Sequence, residues 1–181
     1  FLALLAVPAF KIASACLTDI PLIKHVATLG TPIIVSTGGG ERWSVDRAWW
    51  AAINRPEQPG AILQCTASYP CAAAEMNLNV IPEYRNWFPL TVIGLSDHQD
   101  GIDMAPVAYA LGARIFEKHF TLSHTWKGSD QAFSLEPEGM RRMIQSLRRV
   151  EVALGDGIKR QYESEKPALL KMGKGVVAAH D

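Results

Sequence analysis

The sequence predicts an α/β fold in which helices cover a parallel sheet. Short apolar, β-branched runs alternate five times with longer helical patterns. The runs are apolar almost throughout, as is typical of strands buried on both faces of a parallel sheet. Polar residues stand at the C-terminal end of almost every run, where α/β sheets bind ligands. Five such units suit either an open doubly wound sheet or the last five units of an eight-stranded barrel.

The strand and helix patterns follow one another in a regular order. The predicted strands cover residues 9–14, 32–37, 61–66, 91–96 and 113–120. The helical patterns cover residues 21–30, 44–53, 79–88, 101–112 and 136–155. The first of them contains Pro21, which suits the opening turn of a helix, and three of them end on glycine. No GxGxxG or GxxxxGK[ST] motif follows any strand, which disfavours a nucleotide-binding sheet.

Composition excludes several classes of partner. The 181 residues include 18 Lys and Arg and 18 Asp and Glu, so nothing indicates a nucleic-acid or acidic-membrane partner. Cys16, Cys65 and Cys71 form an odd set without a CxxC pair, which predicts a reducing, cytoplasmic setting. The apolar opening, residues 1–10, is too short to span a membrane. We interpret it as the end of a helix that runs into the first strand.

Two histidines stand at the ends of consecutive predicted strands. Strand alternation places Ser96 and His98 on one face, and likewise Glu117 and His119. If these faces line a barrel interior, both imidazoles emerge at the same rim beside the Glu117 carboxylate. That arrangement would suit a divalent-metal site with open positions for substrate. The alternative is that both histidines are ordinary polar residues at strand ends.

A lysine and three serines supply a second group of polar side chains. Lys11 interrupts an apolar run, and Ser14, Ser36 and Ser96 stand at strand ends. An ammonium group beside hydroxyls predicts a cradle for a phosphate or a carboxylate. Alternatively, Lys11 extends to solvent from an edge strand. Asp130, in the loop after the last strand, either serves a turn or places an acid against a sugar hydroxyl.

Several long motifs occur in a fixed order along the chain. They include FKIAS, LTDIPLIKHVATLGTPIIVSTG, CTASYP, IGLSDHQDG, ALGARIFEKHFTL and TWKGSDQAFSLEPEGM. In order and spacing they resemble the sialic acid synthase family, which includes N-acetylneuraminate synthases and related nonulosonate synthases. The resemblance covers nearly the whole chain, and motifs of this length are more specific than any single residue pair.

The resemblance implies a parallel (β/α)₈ TIM barrel, of which residues 1–155 would form the last five βα units. Residues 156–181 resemble a connector towards a small C-terminal antifreeze-like domain, and the first three strands would precede Phe1. The implied reaction condenses phosphoenolpyruvate with N-acetylmannosamine or its 6-phosphate, giving N-acetylneuraminate or a related nonulosonic acid and phosphate. A homodimer is usual in the family, although no residue of this sequence indicates one.

Nine positions match functional residues of the family. The ligands of Mn²⁺ or Mg²⁺ are matched by His98 and His119. The phosphoenolpyruvate-binding positions are matched by Lys11, Ser14, Ser36 and Ser96. Residues around the amino sugar are matched by Tyr69, Glu117 and Asp130. The resemblance implies catalytic roles for Lys11, Glu117 and His119, with Glu117 or the metal handling protons of the aldehyde oxygen and the water.

Two other functions stay open. Cys16 stands where the family commonly has an acidic residue, and Ala67 stands where Asn or Ser is usual. Both departures would suit a catalytically impaired sugar-binding homologue. The other alternative is a phosphoenolpyruvate-condensing or aldolase barrel of the octulosonate type, and the TWKGSD motif argues against it.

Overall fold

A computed structural model describes residues 1–53 and 58–175 of the chain. Its strands are β1 (Phe10–Ile12), β2 (Ile33–Ser36), β3 (Gly60–Cys65), β4 (Val92–Asp97) and β5 (Ile115–Lys118). Its α-helices are α1 (Ile20–Ala27), α2 (Arg42–Ala52), α3 (Val80–Trp87), α4 (Met104–Ala110), α5 (Pro137–Leu154) and α6 (Lys166–Met172). Short 3₁₀ turns cover Leu2–Leu5, Ser14–Cys16, Ala73–Glu75, Gln131–Phe133 and Glu163–Glu165.

The five strands form one sheet in chain order, and every neighbouring pair is parallel. All five predicted strands and all five predicted helices are present, with ends shifted by a few residues. The largest difference concerns the last predicted strand, residues 113–120. It ends at Lys118, because the chain beyond it pairs through an isolated bridge between Phe120 and Leu135. His119 therefore follows the strand instead of lying within it.

The sheet is strongly curled. In a flat sheet β1 and β5 would be about 19 Å apart, because four strand spacings of about 4.8 Å separate them. Instead, Lys11 Nζ on β1 lies 3.1 Å from Glu117 Oε2 on β5. Side chains from the first and last strands thus meet across the concave face. The sheet is the half-barrel that the last five units of a (β/α)₈ barrel would form, which confirms the predicted fold class.

Helices cover the convex face of the sheet. Val35, Ile62 and Ile93 are neighbours in register on β2, β3 and β4, and each is at most 2% exposed. They pack in one buried cluster with helix residues that include Ile23 and Ile81. Burying a side chain of this size contributes about 1.5–3 kcal/mol. This layer holds the strands in place, so their carboxyl ends can carry polar groups.

The helix ends show why the helices begin and stop where they do. Asp19 caps α1 by accepting a 3.0 Å hydrogen bond from Leu22 N, and Pro21 lies in the first turn. Pro137 opens α5, and Gly155, with φ of 58°, follows its last residue. A positive φ is readily adopted by glycine, so Gly155 suits this stop.

The two terminal segments add little buried surface. The opening residues form the 3₁₀ turn Leu2–Leu5, which contains no buried residue. Residues 156–175 of the predicted connector include α6, a helix that the sequence analysis did not identify, and it too buries no residue. Residues 176–181 lie outside the described part of the chain, and the connector's role stays a prediction. Within residues 1–53 and 58–175, no helix has the length and apolar character needed to cross a membrane.

At the centre of the concave face, neighbouring residues pack closely against Gly94 on β4. A Cβ atom added to Gly94 would lie 2.4 Å from the Ile115 carbonyl oxygen and 2.4 Å from Leu63 Cδ2. Leu63 is fully buried, and Ile115 is the register partner of Gly94 on β5. A side chain at this position would therefore separate β3, β4 and β5.

We expect Gly94→Ala to lower the free energy of unfolding by about 1–3 kcal/mol, because the added methyl group overpacks the interior. The measurement is urea unfolding of the protein. Gly175→Ala is the matched control, since nothing lies within 4 Å of its added Cβ atom, and we expect a change within about 0.5 kcal/mol. Equal stability of the Gly94→Ala variant and the parent would contradict the described packing.

Candidate active site

Glu117 makes the central contacts at the carboxyl ends of the strands. Its Oε1 accepts a 2.7 Å hydrogen bond from Ser96 Oγ on β4, while its Oε2 lies 3.1 Å from Lys11 Nζ on β1. The Lys11 and Glu117 side chains are 31% and 41% exposed. Ion pairs this exposed contribute little to stability. Both charges are thus accessible at this rim, where Lys11 is partly exposed and paired with Glu117.

Cys65 joins two other site residues on the concave face. Its Sγ lies 3.3 Å from Ser14 Oγ and 3.9 Å from His98 Nδ1. Ser14 Oγ also accepts a 3.0 Å hydrogen bond from Gly38 N. Burial raises the pKa of the Cys65 thiol, but hydrogen bonds with His98 and Ser14 outweigh burial, so the pKa lies below its usual value of 9.0. The sequence analysis did not identify Cys65 as a site residue.

Ser36, at the end of β2, carries a buried hydroxyl group without a partner. The residue is 2% exposed, and its Oγ has no hydrogen-bond partner in the described part of the chain. Burying an unpartnered hydroxyl group costs free energy. Strand register places Ser36 on the same concave face as Lys11, because Lys11 is the neighbour of Ile34. An anion held by Lys11 would give this hydroxyl an acceptor.

His98 and His119 come together as the strand ends predict. Their ring centroids are 5.2 Å apart, and the rings meet edge to face. His98 Nδ1 lies 2.9 Å from the Thr66 carbonyl oxygen, which can only accept, so Nδ1 carries the hydrogen. His119 Nδ1 lies 3.5 Å from Asp130 Oδ2. In the neutral tautomer set by the Thr66 carbonyl, the lone pair of His98 is on Nε2, which lies 3.4 Å from Ser96 Oγ.

The environment moves the pKa values of the two imidazoles in opposite directions. Burial lowers the pKa of His98, but contacts with Cys65, the Thr66 carbonyl and Glu117 together raise it above 6.5. Burial also lowers the pKa of His119, and the positive charge of His98 lowers it further, so that it lies below 6.5 despite Asp130 and Glu117. Of the two adjacent rings, His98 therefore takes the first proton.

Aromatic rings form one wall beside the histidines. The Tyr69 ring centroid is 4.3 Å from that of His98 and 5.6 Å from that of His119. The Phe133 ring centroid is 5.2 Å from that of His119. Burial, followed by the negative charges of Cys65, Asp130 and Glu117, raises the pKa of Tyr69. The half-exposed phenol therefore stays protonated at neutral pH and can donate a hydrogen bond to a ligand.

A buried ion pair lies on the opposite, convex face of the same two strands. Lys118 Nζ is 3.0 Å from Asp97 Oδ2, and the two side chains are 2% and 4% exposed. The two residues are register neighbours on β4 and β5. Lys118 thus has a partner on the face opposite the one that carries Lys11, Ser96 and Glu117.

The donor set fits a divalent ion held by two protein ligands. Among the described residues, no group of three or more His, Cys, Asp or Glu side chains is arranged to hold a metal. His98 and His119 nevertheless have their Nδ1 atoms facing a carbonyl and a carboxylate, as metal-binding histidines commonly do. Such a pair would leave other coordination positions for water and substrate. Metal binding itself stays a prediction.

Eight of the nine predicted site residues are linked by contacts. Contacts through Cys65, and one of 3.4 Å between Ser96 Oγ and His98 Nε2, join eight of them, which are Lys11, Ser14, Ser96, His98, Glu117, His119, Asp130 and Tyr69. Ser36 lies on the same face, with its hydroxyl unpartnered. Their functional roles stay predictions.

Sequence reasoning missed Cys65, Thr66 and Phe133. Strand alternation from Leu63 could have indicated Cys65, whereas the Thr66 carbonyl and the Phe133 ring depend on loop conformation. Cys16, expected at the rim, is part-buried and packs against the hydrophobic core.

Comparison with known proteins identifies the family. The model of the NeuB family matches residues 1–159. The chain belongs to the NeuB family. Human N-acetylneuraminate-9-phosphate synthase is 40% identical to it over 179 residues, which are 98% of this chain and 49% of the human protein. N,N'-diacetyllegionaminic acid synthase from Campylobacter jejuni is 36% identical over 174 residues, which are 95% of this chain and 52% of that protein.

Solved structures of NeuB relatives share the fold. N-acetylneuraminic acid synthetase from Leptospira borgpetersenii, in complex with citrate, has a TM-score of 0.80 at 30% identity, over 91% of this chain and 57% of that one. The Bacillus subtilis spore coat polysaccharide biosynthesis protein spsE has a TM-score of 0.78 at 41% identity, over 86% of this chain and 44% of that one. The NeuB chain described here thus spans about half the length of the curated relatives that it matches.

The opposite pKa shifts of the histidines predict an order of protonation in the metal-free NeuB protein. We expect NMR titration to place the pKa of His98 above 6.5 and that of His119 below it. Because folding raises the pKa of His98, its protonation stabilises the fold at low pH, and this contribution is lost as the pH rises through the raised pKa. His98→Gln should raise the pKa of His119 by removing a neighbouring charge. The reverse order of titration would contradict the described contacts.

Proposed function

We propose that this chain forms the catalytic half-barrel of a nonulosonic acid synthase. The reaction condenses phosphoenolpyruvate with N-acetylmannosamine, or its 6-phosphate, and gives N-acetylneuraminate or a related nonulosonic acid and phosphate. The observation that carries this proposal is the position of Glu117, which joins Lys11 and Ser96 beside the paired imidazoles of His98 and His119. One rim thus offers an anion site, a carboxylate and a pair of nitrogen ligands. The names of the NeuB relatives support the same class of reaction.

Lys11 and Ser36 supply the groups for an anionic substrate. The Lys11 ammonium would attract the phosphate or carboxylate of phosphoenolpyruvate, and its present partner, Glu117, is itself exposed to solvent. The Ser36 hydroxyl, unpartnered and buried, would donate a hydrogen bond to the same anion. Hydrogen bonds to charged groups contribute more than those between neutral groups. The cost of burying Ser36 would then be offset only when substrate is bound.

The other side of the rim suits a sugar. The Tyr69 hydroxyl can donate, because its pKa is raised, and the Asp130 carboxylate can accept from a sugar hydroxyl. Asp130 lies beside His119, with its Oδ2 3.5 Å from the imidazole Nδ1. The acceptor sugar would therefore lie next to the histidine pair. Tyr69 and Asp130 do not determine whether the sugar carries a 6-phosphate.

The chemistry requires one carbon–carbon bond to form and one carbon–oxygen bond to break. C3 of phosphoenolpyruvate attacks the aldehyde carbon of the open-chain sugar, the aldehyde oxygen takes a proton, water adds at C2, and the C2–O bond breaks to release phosphate. Mn²⁺ or Mg²⁺ bound by His98 and His119 would supply Lewis-acid polarisation of the aldehyde. Glu117 would accept a proton from the attacking water, and Lys11 would stabilise the charge of the departing phosphate.

The direct test is phosphate release by the complete protein, supplied with phosphoenolpyruvate, Mn²⁺ and either N-acetylmannosamine or its 6-phosphate. We expect stoichiometric phosphate and nonulosonate, and reversible loss of activity in excess chelator. His98→Ala and His119→Ala should each lower kcat/KM by more than about a hundredfold, since each removes a metal ligand. His25→Ala, which removes an exposed histidine on α1, is the control and should leave the rate unchanged.

Two results would contradict the proposal. Full activity without either rim imidazole, or in excess chelator, would exclude the metal-assisted reaction. Sugar binding without phosphate release would favour the catalytically impaired homologue, for which Cys16 and Ala67 are the motivating residues.

Ser36→Ala separates substrate binding from stability. We expect KM for phosphoenolpyruvate to rise about tenfold or more, because a hydrogen bond to a charged group is lost. The free energy of unfolding should stay unchanged or increase, since the deleted hydroxyl has no partner. Ser44→Ala is the control, because the Ser44 hydroxyl donates a 2.7 Å hydrogen bond to the Glu41 carbonyl. It should lower stability and leave KM alone. An unchanged KM in Ser36→Ala would remove Ser36 from the anion site.

A further inference from the structure

The two histidines of the rim share an unusual sequence context. His98 directly follows Asp97, and His119 directly follows Lys118, so each imidazole stands one residue after a member of the buried ion pair. Strand alternation sends the charged side chains to the convex face and the imidazoles to the concave face. The ion pair therefore connects the backbones of β4 and β5 immediately before the point where each histidine emerges.

Lys118 contacts the residues on both sides of His98, which are Asp97 through its side chain and Gln99 through its backbone. Its Nζ contacts Asp97 Oδ2 at 3.0 Å and also donates a hydrogen bond to the Gln99 carbonyl oxygen. Asp97 Oδ1 in turn accepts a 2.9 Å hydrogen bond from Gln99 N. Residues 97 and 99 are thus tied to each other and to β5. His98 lies between them and has little freedom to shift along the strand.

The His98 and His119 backbones are held by additional bonds. The His98 carbonyl accepts a 2.9 Å hydrogen bond from Cys71 N, and the His119 carbonyl accepts a 2.8 Å hydrogen bond from Leu135 N. Neither bond connects β4 to β5. Two side-chain contacts do make that connection, namely the ion pair of Asp97 and Lys118 and the hydrogen bond from Ser96 to Glu117. The first lies on the convex face and the second on the concave face.

Stability alone is a weak explanation for this pair. Burying two charges removes them from water, and apolar side chains of similar volume often replace a buried ion pair without loss of stability. The register neighbours Leu95 and Phe116 on the same face are apolar. An ion pair with fixed geometry, unlike an apolar contact, can hold His98 and His119 at a fixed separation.

We propose that Asp97 and Lys118 are positioning residues that set the separation and orientation of His98 and His119 for a divalent cation. This inference rests on the proposed function, since it concerns the same pair of imidazoles. Neither residue contacts substrate or metal. Their effect passes through the backbone, from a rigid link on the convex face to two ligands on the concave face. Loss of the link should weaken metal binding more than it weakens the fold.

The test measures Mn²⁺ affinity of the complete protein by electron paramagnetic resonance of free Mn²⁺, without substrates. The variant Asp97→Asn with Lys118→Met removes both charges, while the amide oxygen introduced on β4 can still accept from Gln99 N. We expect the Kd for Mn²⁺ to rise about tenfold or more with a nearly unchanged thermal midpoint, as for other residues that orient metal ligands. The matched control, Glu138→Gln with Arg141→Met, removes an exposed pair on α5 and should change neither quantity.

A second variant covers the case in which the double variant does not fold. Asp97→Glu keeps both charges and displaces the carboxylate by one methylene group, so it alters the geometry of the link without leaving Lys118 unpaired. It too should raise the Kd for Mn²⁺. A folded variant of either kind with parental affinity would overturn the inference. Absence of Mn²⁺ binding by the parent protein would instead overturn the metal site of the proposed function, so the two failures are distinguishable.

Discussion

The register between β4 and β5 is the constraint on which the site depends. It sets Ser96 beside Glu117 and Asp97 beside Lys118, and the residue that follows each strand is a histidine. One alignment therefore produces a hydrogen bond on the concave face, an ion pair on the convex face and two adjacent imidazoles at the rim. A slip of one residue would reverse every face and bury the imidazoles among helix contacts. Gly94, nearer the start of β4, leaves room for both Leu63 and Ile115 where a side chain would meet them.

The curl of the sheet adds the second half of the site. Lys11 belongs to the first strand and Glu117 to the last, yet their charged groups are 3.1 Å apart. The same curl brings Cys65 between Ser14 and His98. The pairing of Lys11 with Glu117 places a positive and a negative charge next to each other on the concave face. An arriving anion would compete for the ammonium and leave the Glu117 carboxylate to accept a proton.

Much of this arrangement was predictable from the sequence, for identifiable physical reasons. Near-continuous apolar runs indicated the strands, and the alternation of side chains along a strand assigned their faces. The convergence of His98, Glu117 and His119 followed from that alternation and the strand order. The contact between Lys11 and Glu117 could not be predicted in this way, because it depends on the curl of the whole sheet. The positions of the Phe133 ring and the Thr66 carbonyl could not be predicted either, because loops set them. The ion pair of Lys118 with Asp97 could not be predicted either, because it depends on the register between β4 and β5.

On the proposed function, two strand ends held in register would present Nε2 of His98 and Nε2 of His119 to one divalent cation. Anomalous diffraction from crystals of the complete protein grown with Mn²⁺ tests it most directly. We expect a single anomalous peak within about 2.0–2.3 Å of both Nε2 atoms, with the remaining coordination positions filled by water or substrate. A peak bound elsewhere, or one bound by a single imidazole, would contradict it.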